Sequence, residues 1–100
     1  MAEALTAAAV TAVLEADGER KAVVSLFGVV KNSGFVVVDQ GPSGLLVYYE
    51  ASGLRDANVA REATTRWAAA LTAAGYAVSP VNVYCFRVTA FIPADGNERW

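Results

Sequence analysis

The chain has 100 residues, 55% of them hydrophobic, with 8 Lys and Arg against 10 Asp and Glu, and this length is typical of one domain over residues 1–100. Because it has no His and only one Cys, Cys85, His-based catalytic triads, His-ligated metal centres and an internal disulfide are excluded. The net charge of −2 and the isoelectric point near 4.9 argue against nucleic acid as a partner.

The first segment predicts an amphipathic N-terminal helix over about residues 3–15 rather than an export signal. Glu3 stands where a signal peptide carries a basic residue, and Thr6, Thr11 and Glu15 interrupt the apolar stretch. Nowhere does an apolar run approach the roughly 20 residues that cross a bilayer. We therefore expect a cytoplasmic protein that does not bind to or span a membrane.

Residues 20–32 allow two interpretations. Four apolar residues recur at helical spacing: Val23, Leu26, Phe27 and Val30. The sequence Asn32-Ser33-Gly34 is typical of a helix end but is equally compatible with a hairpin turn. The abundance of Val and the presence of Gly28 favour strands. The spacing predicts a helix here, and a hairpin remains the alternative.

Alternating apolar residues predict four strands farther along the chain, separated into two pairs by a long helix. The helix covers about residues 56–74, begins at Asp56 or Asn58 and ends at Gly75. On its solvated face Glu62 and Arg66 are spaced as an i, i+4 ion pair. The strands are expected at Phe35–Asp39, Leu45–Glu50, Tyr76–Ser79 and Tyr84–Ile92.

The two strand pairs are related by a weak internal repeat with an offset of 41 residues, which aligns Phe35 with Tyr76 and Val47 with Val88. The sequence therefore predicts an α+β fold in which two helix-strand-strand units, about residues 20–50 and 56–92, form a four-stranded, mostly antiparallel sheet. Helices pack on this sheet, the N-terminal helix is added to it, and residues 93–100 form a C-terminal tail.

The chain has no glycine-rich phosphate-binding motif, no G-x-S-x-G and no C-x-x-C. We interpret Gln40–Gly44 as a hairpin loop and Cys85, although it is close to Arg87, as a structural thiol without a base. The carboxylates of Asp17 and Glu19, and those of Asp95 and Glu98, are expected to be solvated. We therefore predict no catalytic, cofactor-binding or metal-binding residue, and no enzymatic activity.

Alternation along the strands leaves a second group of side chains on the sheet face opposite the helices, including Cys85 and Thr89. Aromatic residues and Arg are enriched at the centres of protein interfaces, and a terminal Trp can dock on a partner. The predicted protein-interface residues are Leu46, Tyr48, Arg87, Phe91 and Trp100. The alternative is that the N-terminal helix covers this face.

These observations favour a small non-enzymatic interaction module. If Gly is counted as apolar and Tyr is not, 59 of the 100 residues are apolar. The corresponding share in typical domains is about 45–50%. We expect the module to form a homodimer or bind another protein as an accessory or inhibitory subunit, through the apolar sheet face or an edge strand.

Two other functions fit parts of the sequence. A winged-helix-like DNA-binding regulator would place Arg20, Lys21 and Lys31 on one exposed helix. A small-molecule-binding domain would need a pocket near Tyr84, Cys85 and Arg87 of roughly 300 Å³ or more.

Overall fold

The computed structural model describes residues 5–54 and 56–92. In chain order, the elements within these residues are α1 (Ala7–Ala16), β1 (Val23–Val24), β2 (Val30–Asn32), β3 (Gly34–Asp39), a 3₁₀ turn (Gly41–Ser43), β4 (Leu45–Glu50), α2 (Ala57–Ala73), β5 (Tyr76–Asn82) and β6 (Cys85–Phe91).

The last four strands form one antiparallel sheet in the order β3-β4-β6-β5. In the register of β3 and β4, Phe35 pairs with Tyr49 and Val38 with Leu46, while β4 pairs with β6 through Leu46 and Arg87. Together with the two helices, this sheet confirms the predicted α+β fold. The repeat offset of 41 residues aligns β3 with β5 and β4 with β6 along the chain.

The prediction of a helix over residues 20–32 is wrong, because β1 and β2 form an antiparallel hairpin in this segment. At its tip the Ser25 Oγ accepts hydrogen bonds from the N–H groups of Phe27 and Val29, each at 3.2 Å. Gly28 adopts a positive φ of 83°, which only glycine tolerates readily. The β-branched Val residues on both sides complete a strand-turn-strand sequence, so the first unit has no helix of its own.

Both helices begin at a side-chain cap. Thr6 Oγ1 accepts from the Ala9 N–H of α1, and Asp56 Oδ1 accepts from the Asn58 N–H of α2 at 2.9 Å. Gly75, with a φ of 101°, follows α2 as expected for a helix end. Neither of these helices is both long and apolar enough to cross a membrane, a result that covers only the described residues.

The hydrophobic core lies between the two helices and one face of the four-stranded sheet. Trp67 of α2 is at its centre, where its ring centroid lies 5.8 Å from that of Phe35 and 6.2 Å from that of Tyr49. The buried apolar members are Val10, Leu14, Phe35, Leu45, Val47, Tyr49, Ala60, Ala63, Trp67, Leu71, Tyr76, Phe86 and Val88. Since α1 contributes Val10 and Leu14 to this same cluster, α1 and α2 share one sheet face.

Candidate functional site

The sheet face opposite the helices carries a contiguous group of mostly apolar side chains, which we call the open face. Side chains of directly paired residues project to the same side of an antiparallel sheet. The pairs Val36–Tyr48, Val38–Leu46, Leu46–Arg87 and Tyr48–Cys85 therefore define this face across three strands. Its members are Val36, Val38, Leu46, Tyr48, Cys85 and Arg87.

Neither described helix covers the open face. The buried residues of α1 and α2 belong to the core on the other side of the sheet. The alternative in which the N-terminal helix forms a third layer is therefore wrong for α1 as it stands in residues 5–54. Leu46, Tyr48 and Cys85 are half-buried, as expected when neighbouring side chains on an uncovered sheet face reduce one another's exposure to solvent.

The fold brings together three of the five residues predicted as interface contacts. Leu46 and Tyr48 lie two residues apart on β4, and Arg87 pairs directly with Leu46. Phe91 is not part of this group, because a bulge between Ala77 and Val78 shifts the pairing of β5 with β6. As a result, the Phe91 ring packs against the ring of the core residue Tyr76, and the two ring centroids are 4.8 Å apart. Trp100 lies outside the described residues.

Charged side chains lie toward the two ends of the open face. At one end Arg87 Nη2 donates to Gln40 Oε1 at 2.9 Å, while the buried Arg87 Nε has no acceptor within the described residues. At the other end Glu50, opposite Gly34, follows Tyr48 by two residues on β4 and projects to the same side. Apolar and aromatic side chains therefore separate a cation from an anion along the strand direction.

Cys85 contributes a thiol to the open face. The thiol is 3.6 Å from Asn82 Oδ1, and its residue is half-buried beside Tyr48. The geometry suits a packing side chain, and it also provides a single natural chemical probe on this face.

A second polar site, which the sequence analysis missed, joins the turn after α1 to α2. The Glu19 carboxylate accepts two hydrogen bonds from the Arg66 guanidinium, both at 3.1 Å, and one from the Trp67 indole N–H at 2.9 Å. Glu19 is therefore not the solvated turn carboxylate that the sequence predicted. Its side chain is only 14% exposed, whereas that of Arg66 is 56% exposed.

This ion pair shifts both titrations in the direction that favours the charged forms. The hydrogen bond from Arg66 lowers the pKa of Glu19, although partial burial opposes the shift. The hydrogen bond to Glu19 likewise raises the pKa of Arg66, with a smaller contribution from Glu62. Every oxygen of this carboxylate therefore has a donor within the protein, which indicates a structural role.

Two surface grooves accompany these features. One has a volume of about 330 Å³ and is lined by Glu19, Arg66 and Trp67, together with Gly34. The other, of about 590 Å³, lies between α1 and β3 and includes Ala8, Thr11, Val24 and Val37. Neither groove is lined by Tyr84, Cys85 or Arg87, the residues near which a small-molecule-binding domain would need its pocket.

No cluster of three or more His, Cys, Asp or Glu side chains that could hold a metal ion occurs in residues 5–54 and 56–92. Comparisons of the chain with protein-family models, with curated proteins and with solved structures gave no match.

Proposed function

We propose that the protein is a non-enzymatic interaction module that forms a homodimer through the open face. The observation that carries this proposal is the placement of both helices on the other side of the sheet. It leaves the apolar and aromatic side chains around Leu46 and Tyr48 without a covering layer among the described elements. Apolar patches of this kind on a small domain mark interaction sites.

The distribution of charge on the open face favours a second copy as the partner. In a face-to-face dimer, a two-fold axis that lies across the strands near Tyr48 reverses the strand direction of the second sheet. Arg87 of each copy then lies near Glu50 of the other, and the apolar centres meet. A surface with a cation toward one end and an anion toward the other is thus self-complementary.

The test is the mass of the purified protein in solution, measured by light scattering over a dilution series. We expect a dimer in the wild type, and a folded monomer after Leu46→Glu or Tyr48→Glu, because a dimer would take the new carboxylate out of water. At position 46 the carboxylate lies beside Arg87 of its own chain but would face Glu50 of the second copy. Leu54→Glu is the matched control, since Leu54 is 97% exposed in the loop before α2. This variant should remain dimeric.

Two results contradict the proposal. One is a wild-type protein that remains monomeric up to about 1 mM, which places any association at a free energy weaker than roughly −4 kcal/mol. The other is a Leu46→Glu protein that dimerises as tightly as Leu54→Glu, because the contact would then lie elsewhere.

The DNA-binding alternative loses its structural basis in the hairpin. Arg20 and Lys21 precede β1 and Lys31 lies in β2, so no helix presents these three cations to a major groove. We therefore retain the homodimer as the single proposal.

A further inference from the structure

We infer that the hairpin formed by residues 23–32, which we call the arm, docks in the groove between α1 and β3 of a second copy. This inference rests on the proposed homodimer and assigns it a second contact, which adjoins the open face at Val36. The groove is also lined by Val24 at the base of its own chain's arm, so the docking segment is the tip of the other copy's arm, and each copy supplies one tip and one groove.

The arm presents apolar side chains on an ordered tip. Leu26 is 101% and Phe27 is 92% exposed, and Val23, Val24 and Val29 are also exposed. Besides the two bonds to Ser25 Oγ, the tip is closed by the Ser25 N–H to the Val29 carbonyl at 2.8 Å and by the Gly28 N–H to the Ser25 carbonyl at 3.0 Å. A tip that is ordered before binding loses little conformational entropy when it docks.

The groove is suited to such a tip in size and in lining. Its volume is about 590 Å³, and the α1 wall is built from small side chains such as Ala8 and Ala12, while Val36 and Val37 line the strand side. Glu15 and Lys21 also line it, so the lining side chains carry no net charge. The apolar tip of the arm, with Leu26 and Phe27, therefore meets a groove without net charge.

The area of the open face also indicates a second contact. The three strands of the open face, spaced about 4.8 Å apart and six residues long at about 3.3 Å per residue, cover roughly 300 Å². A stable interface buries about 800 Å² on each partner. Burial of one aromatic side chain contributes about 150–250 Å², so Phe27 and its apolar neighbours on the arm supply much of the difference.

The symmetry of the proposed dimer makes this contact geometrically possible. A two-fold axis that lies across the strands leaves each strand at its own lateral position, so the β3 edges of the two copies lie on the same side of the dimer. The arm immediately precedes β3 along the chain, and the groove borders β3. The arm of one copy therefore leaves the fold at the same edge of the dimer as the groove of the other, and it reaches the α1 wall of that groove by extending past the β3 edge of the second sheet.

Cysteine cross-linking between separately purified variants tests the inference. In a Cys85→Ser background, Phe27→Cys is mixed with Ala8→Cys, whose residue lines the groove, and the mixture is oxidised. We expect a disulfide-linked heterodimer that forms only in the mixture. The matched control is Ala69→Cys, an exposed alanine on α2, which should give no cross-link with Phe27→Cys above the background.

A second measurement does not depend on the introduced thiols. Phe27→Ser should weaken the dimer at least about tenfold, because it removes a large apolar side chain that docking takes out of water. Circular dichroism should show an unchanged fold, since the Phe27 side chain is outside the core.

The outcomes separate this inference from the proposed function. A wild-type dimer that is broken by Leu46→Glu but gives neither the cross-link nor the weakening by Phe27→Ser overturns the arm contact and leaves the open-face dimer intact. A wild-type monomer overturns both. A cross-link of equal yield with Ala69→Cys also overturns the arm contact, because it indicates random collision.

Discussion

The two faces of the four-stranded sheet use alternate residues of the same strands for different purposes. Along β4, Leu45, Val47 and Tyr49 are buried in the core, whereas Leu46 and Tyr48 lie between them on the open face and are half-buried. Since successive side chains of a strand point to opposite sides, one short segment serves both folding and the proposed association. Substitutions at neighbouring positions of β4 should therefore have different effects.

The largest expected effect comes from a charge on the helix side. Val47→Glu should prevent folding, because Val47 is fully buried and a buried, unpaired carboxylate costs several kcal/mol, comparable with the total stability of a small domain. Leu46→Glu, one residue away, should leave the chain folded and change the free energy of unfolding of the monomer by less than about 1 kcal/mol. Circular dichroism and thermal unfolding of the two proteins measure this difference. If Leu46→Glu also unfolds the chain, the open face is part of the core.

Removal of aromatic rings should give a smaller difference in the same direction. Trp67→Ala should lower the free energy of unfolding by about 3–5 kcal/mol, because Trp67 is buried and packs against Phe35 and Tyr49. Tyr48→Ala should lower it by under about 1 kcal/mol in a monomeric background. Urea unfolding is the measurement, and similar losses at the two positions would contradict the distinction between the faces.

The alternation that divides the two faces could be predicted from the sequence, and so could α2. In both cases the periodicity of apolar residues, together with Asp56 before the helix and Gly75 after it, agrees with the element that forms. Residues 20–32 could not be assigned in this way, because their apolar spacing suits a helix while their Val content suits strands. The Ser25 side chain and Gly28 decide in favour of the hairpin.

The other differences arise from long-range geometry. A bulge between Ala77 and Val78 moves Phe91 out of the open face, and nothing in the alternation of β6 indicates where a bulge will occur. Glu19 is 47 residues from Arg66, so spacing along the helix suggested Glu62 as the partner instead. Contacts of this kind depend on the packing of α1 and its turn against α2, which local patterns do not determine.

Glu19 provides a test of a polar contact on the helix side. Glu19→Gln should lower the free energy of unfolding by about 1–2 kcal/mol, since it removes a charged acceptor of three hydrogen bonds, but the exposure of Arg66 reduces the loss. Glu62→Gln is the matched control and should change the stability less. If Glu62→Gln has the larger effect, Glu62 rather than Glu19 is the main partner of Arg66.

The smallest expected effect is a pH dependence that belongs to the same carboxylate. Because the hydrogen bond from Arg66 lowers the pKa of Glu19 below its ordinary value of 4.5 in the folded state, its ionised form is favoured by folding. The resulting stability is fully present above that ordinary value and is lost as the pH falls through the lower, folded pKa. Urea unfolding of Leu46→Glu and of the double variant with Glu19→Gln, followed from neutral to acidic pH, should show the two stabilities converging as the pH falls. Parallel curves would mean that the charge of Glu19 contributes nothing to the helix side of the sheet.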